Sequence, residues 1–86
     1  MLRGMTAIDH LKDQLASLAG DGDYTVYRLI DLAKELLDTA RDDLTSDEMD
    51  ELDDWLSRQF DANRGAARIR WGLLHGVFDS VQASLN

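Results

Sequence analysis

The side chains of this sequence with the most chemical capacity are carboxylates. Between positions 42 and 54, "DDLTSDEMDELDD" carries eight acidic residues and no basic one. Such a run can hold a cation, present a charged recognition face, or solvate a helix. Cation binding has the strictest geometry. Asp21-Gly22-Asp23 starts like an EF-hand loop, but Val26 then falls where the loop needs glycine, and Leu32 where it needs a bidentate Glu. The 42–54 run itself opens a helix, which sets carboxylates in rows rather than around a point.

Other chemistries find less. His10 and His75 fall on the polar faces of different helices, without His-x3-His or His-Glu-x-x-His spacing. Neither a glycine-rich phosphate loop nor a Ser-His-Asp set can be nominated. The expectation is therefore a non-enzyme, with no catalytic residues, no metal and no cofactor.

Recognition is the remaining use for the acids. In helical projection Asp47, Asp50, Glu51, Asp53 and Asp54 cover an arc of about 160°, opposite an apolar stripe of Met49, Leu52, Leu56 and Phe60. Asp47–Glu51 and Asp50–Asp54 are like-charge pairs one turn apart, each costing a few tenths of a kcal/mol (~0.2–0.5). The helix dipole repays part of this for Asp47 and Glu48, and little for Asp53 and Asp54. The face is not neutralised within its own helix, which suits docking on a basic partner. Trp55 lies about 60° off the apolar stripe. It either widens the core or stands as an aromatic anchor in a charged rim.

Four arginines, Arg58, Arg64, Arg68 and Arg70, follow closely. Adjacent acidic and basic blocks suit internal pairing or self-association. Arg70 projects into the apolar arc of its helix, so it must snorkel or meet a carboxylate. Gly72 and Gly76 lie on the non-core side of that helix, where each costs about 1 kcal/mol against alanine. Close approach of another helix, within the fold or across a dimer, would repay that cost; otherwise they are merely tolerated.

The elements that position these groups are helices throughout. Proline is absent, apolar residues never alternate with period two, and every long segment repeats at 3–4 residues. The spacing predicts an all-α fold, a small antiparallel bundle of about four helices. The first spans 6–19, with Thr6 as N-cap and a seam of Ile8, Leu11, Leu15 and Leu18. Gly20 suits a left-handed stop, and Asp21 or Asp23 the next cap. The second spans 24–41; Val26, Leu29, Ile30, Leu32, Ala33, Leu36, Leu37 and Ala40 form an arc wide enough for two neighbours. Thr45 to Glu48 matches a capping box and starts the third, 46–62. Asn63, Arg64 and Gly65 break the chain before the fourth, 66–84, whose seam is Ala67, Trp71, Leu74, Phe78, Val81 and Leu85, broadened by Ile69, Leu73 and Val77. Without that break, the last two helices would merge into one long and dimeric structure.

Composition bounds the rest. With 86 residues the chain reads as one domain, 1–86, with residues 1–5 poorly ordered. Cysteine is absent, which excludes disulfides and thiol chemistry and fits a cytoplasmic protein. No secretory signal or membrane-spanning run is evident. A net charge of −8 repels phosphate and anionic lipid, so direct nucleic-acid or membrane binding is not expected.

The resulting expectation is a small acidic protein-binding module: an adaptor, regulatory antagonist or inhibitor of the kind mobile genetic elements encode. It would act by steric occlusion of a basic surface through Asp47, Asp50, Glu51, Asp53, Asp54 and Trp55. Two alternatives are a nucleic-acid mimic filling an enzyme's DNA or RNA site, and a structural homodimer using the arginines, Gly72 and Gly76.

Overall fold

The computed structural model describes residues 6–83; Leu85 of the fourth seam and the expected disorder of residues 1–5 fall outside them. Among the described residues the chain is all-α. Four helices, α1 (Ala7–Gly20), α2 (Val26–Ala40), α3 (Ser46–Ala62) and α4 (Gly65–Ala83), are joined by short connections, with a 3-10 turn at Arg41–Asp43. No helix among them is long and apolar enough to cross a membrane.

Local chemistry sets most boundaries. Thr6 Oγ1 accepts from the Asp9 amide and begins α1. At α3 both halves of the capping box form: the Glu48 amide donates to Thr45 Oγ1 at 3.1 Å, and the Thr45 amide donates to Glu48 Oε1 at 2.9 Å. The start of α2 differs from expectation. Thr25, not an aspartate, caps it by accepting from the Arg28 amide. Asp21 instead closes a local turn by accepting from the Asp23 amide. Gly20 is also not left-handed; it ends α1 in helical form, and the extended Asp21 donates its amide to Leu18 O.

The α3–α4 break is real. Asn63 is extended and its side-chain amide donates to Gln59 O, closing the C-terminus of α3. Gly65 then takes φ +61°, the left-handed region a Cβ disfavours. Merged third and fourth helices are thereby excluded.

Which residues meet gives the topology. Ala7 and His10 share a groove with Thr39 and Ala40, so α1 and α2 are antiparallel. Asp53 meets His75 and Phe60 meets Arg68, so α3 and α4 form an antiparallel hairpin. Tyr24 and Val26 lie beside Ala66 and Ile69, while Arg41 reaches Val81, so α2 and α4 run parallel. The fourth helix touches the other three; α2 and α3 share no substantial contact, being diagonal neighbours.

The core is one apolar cluster drawn from all four seams. Leu15, Leu29, Leu52, Leu56, Leu74 and Phe78 are its most enclosed large side chains. The arc of α2 does serve two neighbours, α1 and α4. Two residues expected inside are not: Val26 is 52% and Ile69 64% exposed, because they stand at the open end where α1 has already terminated.

Candidate functional site

The capping box fixes the start of α3 and so aims its carboxylates. Of the eight acids between Asp42 and Asp54, only Glu48 is partly covered; the other seven are exposed. Three find partners. Lys12 of α1 pairs with Glu51 at 2.8 Å, Arg58 with Asp54 at 3.1 Å, and His75 of α4 with Asp53 at 2.6 Å. The face is therefore neutralised more than its own helix suggests, and two of its three partners come from other helices. Among the described residues, no ion pair or side-chain hydrogen bond reaches Asp42, Asp43, Asp47 or Asp50.

Trp55 is half-buried and packs against the core cluster. Its ring stands edge-on to Trp71, with centroids 5.2 Å apart at 85°, and Lys12 Nζ lies 5.7 Å from its centre. The indole thus widens the α3–α4 core contact, while its uncovered edge borders the acidic face.

The arginine block does not pair with the acids as a block. An antiparallel hairpin sends residues flanking its turn to one end and the start of α3 to the other. Arg58 pairs with its neighbour Asp54 in α3. Arg64 is exposed, and Arg68 stacks on the Phe60 ring at 4.3 Å. Arg70 neither simply snorkels nor meets a carboxylate: its Nε donates at 2.6 Å to Ala19 O, at the end of α1. That carbonyl belongs to the negative pole of a helix, so a half-buried guanidinium is well placed there.

The two glycines separate in role. A Cβ on Gly72 would stand 3.1 Å from the Phe60 ring, so this glycine admits a side chain of α3 rather than a second backbone. Around Gly76 there is open space, and no contact requires it to be glycine.

Two features escaped the sequence. At the turn end of the hairpin, the exposed Val26 and Ile69 share a shallow groove with Arg70, and Tyr27 of α2 is 84% exposed. Tyr27 carried no signal because it falls outside the apolar arc of α2. Near mid-hairpin, Asp53, His75 and Asp79 place one ligand atom each within 4.8 Å of one another. The His-x3-Asp half of that trio is visible in "HGVFD", but Asp53 is 22 residues from His75 and is joined to it only by the fold.

Open grooves also run between helices. One of about 440 Å³ between α1 and α2 is lined by His10, Glu35 and Asp43 among apolar residues. Another of about 530 Å³ between α2 and α4 includes Lys34, Asp38 and Arg41. Among the described residues, no hydrogen bond joins Thr39 to His10 in the first groove or Ser80 to Lys34 in the second. Against known protein families, curated proteins and solved structures, the chain gives no match. Its surface chemistry alone carries a functional reading.

Proposed function

We propose that this protein is an acidic, all-helical protein-binding module that works in the cytoplasm by occluding a basic surface of a partner. The observation carrying this reading is the cluster of exposed carboxylates Asp42, Asp43, Asp47 and Asp50, at one end of the bundle, which no ion pair reaches among the described residues. A helix start needs one or two acids near its first turn; the surplus costs self-repulsion and is repaid when cations of a partner arrive. Glu51, Asp53, Asp54 and the edge of Trp55 extend the face.

Affinity capture with mass spectrometry tests this, comparing the wild type with a D47K/D50K variant at low and high salt. The expected result is a partner with a basic surface that is lost from the variant and at high salt. Capture of the same proteins by both forms would overturn the reading. Competition between that partner's nucleic acid and this protein would identify the narrower role of a nucleic-acid mimic.

A second reading, a homodimer, is favoured by the exposed apolar residues Val26 and Ile69, which share a groove with Arg70, and by the exposed Tyr27. Charge complementarity would seat the acidic end of another copy there. Sedimentation at high micromolar concentration should then show association that I69E abolishes, and a strictly monomeric wild type would remove this reading.

A further inference from the structure

We infer that Asp53, His75 and Asp79 form a binding site for a divalent transition metal of the zinc class, bridging α3 and α4. This goes beyond the partner-binding reading and does not depend on it. The donor set is one imidazole and two carboxylates, a combination that suits zinc, cobalt or nickel better than the all-oxygen cages favoured by calcium or magnesium. His75 and Asp79 are one turn apart, so they rise from the same face of α4. Asp53 meets them from α3, with its Oδ1 2.6 Å from His75 Nε2, and all three donor atoms lie within 4.8 Å.

These spacings bracket what a metal requires. Donors about 2.1 Å from a tetrahedral zinc stand about 3.4 Å apart. Asp53 and His75 must part by about 0.8 Å, and the widest pair must close by about 1.4 Å, which side-chain rotation alone supplies. The backbones are already held: Trp55, two residues beyond Asp53, packs edge-on against Trp71, one turn before His75. Leu56 and Leu74, both fully buried, lie alongside.

Simple charge pairing explains the trio less completely. One imidazole faces two carboxylates, and among the described residues no lysine or arginine pairs with Asp53 or Asp79. A dication would balance both. Access is open as well, since the carboxylates of Asp53 and Asp79 are exposed. Three protein ligands leave at least one coordination position to water, as in open rather than closed zinc sites.

The test uses the untagged full chain stripped with chelator, because an affinity tag would add histidines. Calorimetric titration with zinc chloride should show one equivalent bound with micromolar affinity, and a raised melting temperature. H75A, D53N and D79N should each weaken binding by at least about tenfold, as expected for loss of one ligand in three, while H10A leaves it unchanged. Cobalt in place of zinc should give the visible absorption of a four-coordinate ion. Asp79 is exposed, so D79N retains the helical circular dichroism and separates ligand loss from unfolding. Absence of stoichiometric binding by the wild type at millimolar zinc would overturn the site. So would zinc binding by D79N and H75A as tight as that of the wild type.

Discussion

At the scale of single residues, the two glycines of α4 make a matched experiment. Both forfeit about 1 kcal/mol of helix propensity relative to alanine. Gly76→Ala meets nothing, so urea denaturation should show a gain of about 1 kcal/mol. Gly72→Ala drives a methyl to 3.1 Å from a Phe60 ring that Arg68 covers on one face. The ring has to shift, and the propensity gain should be cancelled. Equal gains at both positions would show that Phe60 moves freely. Arg70 offers a second residue-scale test. Arg70→Met keeps the aliphatic contact but removes the donor to Ala19 O, at an expected cost of about 1–2 kcal/mol, with faster hydrogen exchange at the end of α1.

At the scale of elements, the boundary signals differ in strength. Thr45→Ala removes one half of a formed capping box and should cost about 1 kcal/mol, while Thr45→Ser should retain most of it. Gly65→Ala, at φ +61°, should cost about 1 kcal/mol through backbone strain alone, since no atom crowds the site. Asp50→Lys works in the opposite sense. It replaces a repulsion with Asp54 by an attraction one turn away, and thermal unfolding should show a gain of a few tenths of a kcal/mol (~0.3–0.5). A stabilising mutation that also abolishes partner capture would mark Asp50 as a residue retained for recognition.

The elements were legible in the sequence because their causes are local. Seams at 3–4-residue spacing, Thr6, the Thr45–Glu48 box and the Asn63–Gly65 break all act within a few positions of themselves. The first turn of α2 was misread because Asp21, Asp23 and Thr25 compete for the cap, and only the path of the connection selects among them. The site was less legible because its chemistry is not local. Lys12 and Glu51 are 39 residues apart. His75 alone reads as a polar-face histidine until α3 brings Asp53 to it. Arg70 looked costly because its partner is a backbone carbonyl, which no side-chain pattern encodes.

At the scale of the whole molecule, the order of helices makes the charge distribution polar. The antiparallel hairpin carries Asp47 and Asp50 to one end and Arg58, Arg64 and Arg68 to the other, so a net charge of −8 is not spread evenly. Such a field orients an incoming partner before contact and fades as salt shortens its range to about 10 Å at 0.1 M. The association rate with a basic partner should therefore fall steeply between low and moderate ionic strength, while the dissociation rate changes less. Stopped-flow measurement across a salt series checks this; a salt-independent association rate would show that the acidic end takes no part in encounter.

The contact between Trp55 and Trp71 has an optical consequence. These are the only two indoles in the chain, and they stand edge-to-face at the seam of one hairpin. Their excited states are close enough to couple, so the near- and far-ultraviolet dichroism of the protein contains a signal from a single helix–helix contact. Opening of that hairpin, or a paramagnetic ion beside it, would register in the native fluorescence of the molecule without any label.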